Sequence, residues 1–235
     1  MASAAVLQAL QELREGRLVL VYDADGREEE TDMVIASERV TQAAIRALRK
    51  DAGGLICTTA DTGIQEALGL PFLSELFLGM VEHYPVMGKL IPNDIPYDVK
   101  SAFGITINHR KTFTGITDED RALTITEFAK LAGKALTTED GWAKQEFGKN
   151  FRAPGHIHLL NTSKKILETR FGHTELATAL VIMAGMVPSA TVCEMMGDDG
   201  KALSKAKART YAEKMGYAFL EGAEVIEAWR ELQKR

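Results

Sequence analysis

The chain has 235 residues, of which 46% are hydrophobic and 26% are charged. This balance is typical of a folded protein with a substantial core and excludes a disordered chain. The net charge of −5 argues against a nucleic-acid-binding protein, because such proteins neutralise phosphates with an excess of Lys and Arg. Cys57 and Cys193 lie far apart, which predicts free thiols in a reducing compartment. The most apolar stretch, 176–187, is too short for a membrane helix, so we expect a cytoplasmic protein.

Hydrophobic periodicity predicts regular elements in the first half of the chain. In order, they are a helix that ends at Gly16, strands at 17–23 and 33–37, a helix from Thr41 to about Lys50, a strand at 55–59 and a short helix at 62–68. The acidic segment 23–32 therefore joins two neighbouring strands. Four prolines make the segment 60–100 less regular.

The second half of the chain adds further strands and helices. In order, they are a strand at 102–108, a helix from a capping box at Thr124–Glu127 to about Leu136, a loop at 137–153, a strand at 156–161, a helix at 173–186, a strand at 189–195, and helices near 201–215 and at 223–234. This irregular alternation favours an α+β (α/β-like) fold with a mixed β-sheet in three layers over a doubly wound parallel sheet. No linker divides the chain, so we expect a single catalytic domain, 1–235.

The acidic segment Asp23–Asp32 is the first candidate functional site. Six of its ten residues are carboxylates between two apolar strands. Their mutual repulsion is costly unless a cation binds there, and carboxylate oxygens suit Mg²⁺ or Mn²⁺. An EF-hand is excluded because Gly26 comes too early in the loop. The alternative interpretation is a solvated acidic hairpin loop.

A second candidate is the segment Arg170–Glu175 ahead of an apolar helix. Its glycine permits close backbone approach, Thr174 can cap the helix, and free N–H groups at a helix start attract anions. With Arg170 as a bidentate partner, the segment is a candidate phosphate site. The alternative is an ordinary capped helix with an exposed arginine.

Two further signals come from strands. In the segment Pro154–His158, strand alternation places His156 and His158 on one face, which suits a zinc pair, or a catalytic histidine with a structural neighbour. Glu194 ends an apolar strand, where burial would raise its pKa and suit it to proton transfer. Its alternative role is a strand-end residue that faces water.

Taken in order, these segments resemble 3,4-dihydroxy-2-butanone 4-phosphate synthase. The signatures of that family are an early D-x-x-x-R-E-x-E-x-D loop, a later P-G-H, an R-x-G-H-T-E and a C-E that ends a strand. All four are found here, at 23–32, 154–156, 170–175 and 193–194. Each signature alone is weak, but their conjunction is highly specific and extends over most of the chain.

The resemblance implies roles for the matched residues. The metal ligands would be Glu28 and His173, which bind Mg²⁺ or, as a substitute, Mn²⁺. The residues that contact the substrate would be Arg27, Glu28, Asp32, Arg170, Phe171, Gly172, His173, Thr174 and Glu194, with the substrate's phosphate on Arg170 and Thr174. The catalytic residues would be Asp32, His156 and Glu194. Weaker transfers are Asp23, Cys57 and Thr112. The chain departs from the common bacterial pattern at Glu29, Thr31 and Phe171, which affects loop conformation and metal affinity more than reaction type.

The implied reaction converts ribulose 5-phosphate into 3,4-dihydroxy-2-butanone 4-phosphate and formate, through an enediol, dehydration, rearrangement and loss of C4. The family is homodimeric, with sites near the subunit interface. Bifunctional relatives continue into a GTP cyclohydrolase II domain, an activity that we do not expect here. Two rivals stay open at this point. A metal-dependent aldolase or isomerase would release no formate, and a sugar-phosphate-binding or metal-binding regulatory module would not turn over.

Overall fold

A seven-stranded mixed sheet forms the centre of the computed structural model, which describes residues 2–138 and 141–234. Its strands are β1 (Val19–Tyr22), β2 (Thr31–Ala36), β3 (Cys57–Ala60), β4 (Phe103–His109), β5 (Phe151–Asn161), β6 (Ala190–Glu194) and β7 (Phe219–Glu221). Their order across the sheet is β4-β5-β3-β6-β2-β1-β7. The pairs β3–β5 and β1–β7 are parallel and the others are antiparallel. The predicted mixed sheet is confirmed.

Helices cover both faces of this sheet. They are α1 (Ala4–Arg14), α2 (Gln42–Asp51), α3 (Thr62–Leu68), α4 (Leu73–Gly79), α5 (Asp118–Ala135), α6 (Trp142–Asn150), α7 (His173–Met183), α8 (Lys205–Met215) and α9 (Gly222–Gln233). In the described part of the chain, no helix is long and apolar enough to cross a membrane.

Alternation along the strands divides the core into two layers. Leu20 packs in a cluster with residues of α2, α3, α5, α6 and α8. Its neighbours Val19 and Val21 pack in a second cluster with α1, α7 and α9. Successive strand residues point to opposite faces, so a strand covered on both faces is buried at every position, as β1 is. The three-layer arrangement follows from this double burial.

The predicted start of α5 is wrong. The helix begins at Asp118, where the hydroxyl of Thr117 accepts the N–H of Asp120. Thr124, for which the sequence predicts a capping box, lies buried inside the helix. Its hydroxyl accepts the backbone N–H of His109 on β4 and so ties the helix to the sheet. The threonine serves a tertiary contact that local sequence does not indicate.

The predicted loop 137–153 is also wrong where the structure describes it. Helix α6 occupies Trp142–Asn150, and β5 begins at Phe151 rather than at 156. Phe147 and Phe151 stack with ring centroids 5.2 Å apart, against the core residue Phe128. This aromatic packing outweighs the polar composition of the segment. Residues 139 and 140 of the predicted loop lie outside the described residues.

Strand β7 is an element that the hydrophobic pattern does not predict. It has only three residues, and it pairs in parallel with β1, with Phe219 opposite Leu20. So short a run carries no periodic signal of its own. Its pairing with a strand from the start of the chain places β7 at the edge of the sheet.

Candidate active site

The acidic segment forms the hairpin between β1 and β2, as predicted, and it folds around Asp23. The two carboxylate oxygens of Asp23 accept the N–H groups of Glu28 at 3.0 Å and Glu30 at 3.1 Å. Arg27 donates to the same carboxylate at 3.1 Å. Asp23 is buried, so these bonds satisfy a charge that would otherwise be costly. The hairpin therefore has a fixed conformation that presents Glu28 and Glu30 to the site.

Strand register brings the acidic hairpin to Glu194. Asp32 on β2 pairs directly with Glu194 on β6. Directly opposed residues in an antiparallel pair lie on the same face, with Cα atoms about 4.5–5.5 Å apart. Two carboxyl groups from distant parts of the chain thus lie side by side. Sequence alone could not give this pairing, because register is a property of the assembled sheet.

His173, the first residue of α7, lies over these carboxyl groups. Its Nδ1 lies 3.0 Å from Oε2 of Glu28, and its Nε2 lies 3.2 Å from the carbonyl oxygen of Glu30 and 3.6 Å from Oδ1 of Asp32. Both ring nitrogens therefore face oxygen acceptors. The three side chains converge because α7 begins over the end of β2.

The charges in this cluster shift one another's pKa values. Burial lowers the pKa of His173, but the negative charges of Asp32 and Glu28 outweigh it and raise the pKa to about 9. Burial raises the pKa of Asp32 well above its usual value, and the pKa of Glu194 is also raised, chiefly by burial. For Glu28, burial opposes the hydrogen bond from His173 and the charge of Arg27, and the net pKa is lowered. The site thus combines an ionised Glu28 with two carboxyl groups that hold protons more readily.

Two arginines lie beside the acidic hairpin, and Nη1 of Arg27 contacts Oε1 of Glu28 at 3.0 Å. Nε of Arg170 lies 2.6 Å from Oδ2 of Asp98, and its Nη1 pairs with the buried carboxylate of Glu175. Nη2 of Arg27 reaches the same Asp98 oxygen at 3.2 Å. A Cβ at Gly172 would lie 2.6 Å from Arg27 and 2.7 Å from Arg170, so only glycine lets both guanidinium groups keep these positions.

The carboxyl groups and Arg170 face a cavity of about 280 Å³. Its lining includes six of the predicted site residues, namely Glu28, Asp32, Arg170, His173, Thr174 and Glu194. The lining thus has an acidic end, formed by Glu28, Asp32 and Glu194, and an arginine end at Arg170, and the first turn of α7 contributes to both. A larger cavity of about 630 Å³ shares part of this lining, namely Asp98, Lys100, Ser101, Ala102 and Arg170.

Two predicted residues border the cavity without being part of its described lining. Arg27 and Gly172 reach it through their contacts with Arg170 and Asp98. The predicted helix cap at Thr174 is wrong, because Gly172 is the capping position and Thr174 lies in the first turn.

Three other predicted residues lie away from the cavity. Phe171 is partly exposed, while Cys57 and Thr112 are buried, and all three are outside the described lining. Phe171 directly precedes the glycine that the two arginines contact, so its backbone lies close to the site although its side chain does not line it.

His156, predicted to be catalytic, is exposed and absent from the described lining of the cavity. Its Nδ1 contacts Asn108 on the edge strand β4 at 3.1 Å. In the order of strands, β4 lies on the side of β5 away from β3 and β6. The ring is therefore directed away from Glu194 within the same chain.

The site also contains residues that carry no usable signal in the sequence. Asp98 and Tyr97 lie in a segment that the sequence predicts only to be irregular. Yet Asp98 bridges two arginines, and the Tyr97 ring lies 5.6 Å from the guanidinium of Arg27. A cluster of four prolines is the only hint that this segment forms a non-regular wall.

The donor set at the acidic end fits a divalent metal. Ligand atoms of Asp23, Glu28 and His173 all lie within 4.8 Å of one another. Asp23 accepts two backbone N–H groups and Arg27, which fix the hairpin, whereas Glu28 contacts only side chains, Arg27 and His173, each at 3.0 Å. Carboxylate oxygen with imidazole nitrogen is a common ligand set for divalent ions.

Comparison with known proteins places these features in one family. The family model described as 3,4-dihydroxy-2-butanone 4-phosphate synthase matches residues 7–228. The enzyme of that name from Methanothermobacter thermautotrophicus is 48% identical over 97% of both chains, and that from Methanosarcina mazei is 42% identical over 94% of this chain and 90% of the relative.

Solved structures agree in fold. The 3,4-dihydroxy-2-butanone 4-phosphate synthase of Candida albicans is 26% identical, with a TM-score of 0.71 over 95% of this chain and 96% of that one. A second structure, described as 3,4-dihydroxy-2-butanone 4-phosphate synthase in complex with two magnesium ions, is 24% identical, with a TM-score of 0.76 over 98% of this chain and 99% of that one. Since the matched range contains every residue of the cavity named above, the chain belongs to the 3,4-dihydroxy-2-butanone 4-phosphate synthase family, enzymes of riboflavin biosynthesis.

Proposed function

We propose that this enzyme converts ribulose 5-phosphate into 3,4-dihydroxy-2-butanone 4-phosphate and formate. The observation that carries the proposal is the polarity of the 280 Å³ cavity, with carboxyl groups at its acidic end, Arg170 at its arginine end and the first turn of a helix beside both. A short sugar phosphate has the same division, with hydroxyl and carbonyl groups at one end and a dianion at the other. Membership of the family supports the same substrate class.

Phosphate binding is proposed for the arginine end. Arg170 offers a planar fork of donors, and the first turn of α7 adds backbone N–H groups and its positive dipole end near Thr174. Asp98 contacts both Arg170 and Arg27, so a bound phosphate competes with this carboxylate for the same donors. Arg27, fixed by Asp23, places the second positive charge beside the first.

For the acidic end we propose Glu28 and His173 as ligands of a divalent metal. Magnesium is favoured, because a structural neighbour is described in complex with two magnesium ions, and manganese suits the same donors. The bound ion would polarise the sugar's carbonyl and hydroxyl groups and stabilise negative charge on them. His173 must give up one ring proton to act as a ligand, and Asp32 lies 3.6 Å from Nε2 to fix the ring.

Proton transfer is proposed for Asp32 and Glu194. Both carboxyl groups have raised pKa values, chiefly through burial, so each exchanges protons closer to neutral pH than an exposed carboxylate. Their direct pairing across β2 and β6 lets one accept a proton while the other donates nearby. Repeated proton movement on neighbouring carbons is what an enediol and a dehydration require.

We further propose that His156 acts in a homodimer, in the site of the second copy. Three features support this arrangement. His156 is exposed, its ring is turned away from Glu194 of its own chain, and the adjacent loop exposes 94% of Phe113 and 51% of Ile116. Exposed apolar side chains around a polar one are typical of a protein interface.

A mixing experiment tests the role of His156. Chains with His156→Ala and chains with Arg170→Ala are each expected to be inactive. Random mixing makes half of the dimers hybrid, and a hybrid has one intact site of two if His156 acts across the interface, so about a quarter of wild-type activity should return. No recovery after confirmed subunit exchange would place His156 in its own chain's site.

We also propose that the chain is a single catalytic domain and that the protein is cytoplasmic. Cys57 and Cys193 are both buried and free, which suits a reducing compartment. A single domain is supported by the sheet, since its neighbouring strands β2 and β6 carry Asp32 and Glu194 into one cavity.

The decisive test is an assay of formate. Purified enzyme with ribulose 5-phosphate and Mg²⁺ should release one formate for each four-carbon phosphate formed. An aldolase or an isomerase on the same substrate would release none, so substrate loss without formate would overturn the proposed reaction. A chelator should stop turnover, and added Mg²⁺ should restore it.

A further inference from the structure

Asn108 and His156 form a hydrogen-bonded pair, and nearby backbone groups determine which side chain is the donor and which is the acceptor. Oδ1 of Asn108 accepts the backbone N–H of His156 at 2.9 Å, and Nδ2 of Asn108 donates to the carbonyl oxygen of Thr114 at 3.4 Å. A backbone N–H can only donate and a carbonyl can only accept. These two contacts therefore fix which end of the carboxamide is oxygen and which is nitrogen.

The fixed amide faces the histidine ring with a donor. Nδ2 of Asn108 lies 3.1 Å from Nδ1 of His156, and an amide nitrogen carries hydrogens but accepts no hydrogen bond. Nδ1 of His156 must then be the acceptor and carry no proton. In the neutral ring the proton is on Nε2, on the exposed side.

The surroundings hold Asn108 in this orientation. Asn108 is 3% exposed, and a Cβ on Gly115 would lie 2.0 Å from its Nδ2. The Gly115 loop is tied to α5, because the Asp120 carboxylate accepts the N–H of Gly115 at 2.8 Å. On the other side, a Cβ on Gly155 would lie 1.9 Å from the Ile107 carbonyl carbon. The two glycines let the loop and β5 close on the carboxamide, which restricts it to this position, and the contacts with the backbone of His156 and Thr114 disfavour the flipped amide.

We infer that Asn108 is a positioning residue that holds His156 as a neutral Nε2–H tautomer. This inference rests on the proposed function for its consequence in catalysis. With Nδ1 occupied, His156 offers a hydrogen-bond donor at Nε2 and no basic nitrogen there. It would donate to an oxygen of the substrate, while the carboxyl groups of Asp32 and Glu194 accept protons.

Nitrogen-15 NMR of the histidine side chains tests the tautomer without any activity. In the unmodified enzyme, the His156 signals should show a pyridine-type Nδ1 and a protonated, pyrrole-type Nε2. The His156→Gln variant, which lacks these signals, assigns them. A protonated Nδ1 in the neutral ring would overturn the inference, whatever the enzyme's reaction proves to be.

An isosteric change then tests what Asn108 does. Asn108→Asp replaces the donor by an acceptor, so the His156 proton should move to Nδ1, and kcat for formate release should fall about tenfold or more with a much smaller change in KM. Gln145→Glu adds the same charge on the exposed side of α6 as a control. Unchanged kcat in a folded Asn108→Asp enzyme that has the shifted tautomer would overturn the positioning role. Absence of formate release from the wild type would instead refute the proposed function alone.

Discussion

Replacing Glu194 by Gln should make the enzyme slower and more stable at once. Gln has nearly the same shape, but it neither carries charge nor exchanges a proton. If Glu194 transfers protons, kcat should fall by about 10²-fold or more, which corresponds to about 2.7 kcal/mol of transition-state stabilisation. Binding of ribulose 5-phosphate should survive, because its phosphate is assigned to Arg170 and Thr174.

The gain in stability follows first from the burial of the Glu194 carboxylate and second from its pairing with Asp32. Two full charges at the Cα spacing of about 5 Å would repel by roughly 3 kcal/mol at an effective dielectric constant of about 20, which is an upper bound. The raised pKa of Asp32 and the positive charge of His173 reduce this repulsion. We therefore expect Glu194→Gln to raise the free energy of unfolding by about 1 kcal/mol, or the Tm by about 2–4 °C for a chain of this size.

The assay combines formate release, calorimetric binding of ribulose 5-phosphate, and thermal unfolding at neutral pH in the presence of a chelator. Glu227→Gln, at an exposed position of α9, removes the same charge away from the site and serves as the control. Near-normal kcat would remove Glu194 from catalysis. Lower stability than the wild type would refute the electrostatic reasoning, even if kcat falls.

Three other predictions follow from the same contacts. Arg170→Lys should raise KM for ribulose 5-phosphate about tenfold or more, because a point charge replaces a planar fork, while the exposed control Arg230→Lys should leave KM unchanged; equal KM values would exclude Arg170 from phosphate binding. Glu29 has a φ of 57°, a region that Asn tolerates better, but its carboxylate also accepts the N–H of Gly26 at 2.8 Å; Glu29→Asn should therefore change the free energy of unfolding by no more than about 0.5 kcal/mol in chemical denaturation, and a larger loss would show that the contact with Gly26 outweighs the backbone strain. The raised pKa of His173 stabilises the metal-free fold below about pH 6.5, and this contribution of roughly 3 kcal/mol should disappear as the pH rises through about 9. His173→Gln should lack that pH dependence, and Mg²⁺ binding slightly above neutral pH should release about one proton per wild-type chain, measured by calorimetry in two buffers.

The sequence predicts well those elements whose signals are local. Helix α3 has its predicted bounds, 62–68, because Asp61 caps it and Gly69 ends it in the left-handed conformation. The acidic hairpin lies where two apolar runs flank it. In contrast, the start of α5 at Asp118 escapes prediction because a second capping pattern at Thr124 looks equally good. Only the contact of that threonine with β4 shows which pattern is used.

The candidate site shows the same division between local and tertiary information. Motifs point to Glu28 and His173, and the structure brings their side chains within 3.0 Å. Their assignment as metal ligands stays a prediction. Asp98 could not have been found, because it belongs to no periodic element and its arginine partners are 71 and 72 residues away. A residue whose role is to contact residues distant in sequence leaves no local pattern from which that role can be predicted.

The acidic end of the cavity is built on the central sheet, whereas part of its remaining lining comes from an irregular segment. Asp32 and Glu194 belong to central strands that are paired on both sides, whereas Asp98, Lys100, Ser101 and Ala102 line both cavities and belong to no strand or helix. This segment contacts the two arginines through Asp98 and the sheet through the carbonyl oxygen of Ala102, which accepts the N–H of Asn161 at 2.8 Å. Substitutions of its side chains are therefore expected to change the space available to longer sugar phosphates, while the acid–base groups keep their positions on the sheet.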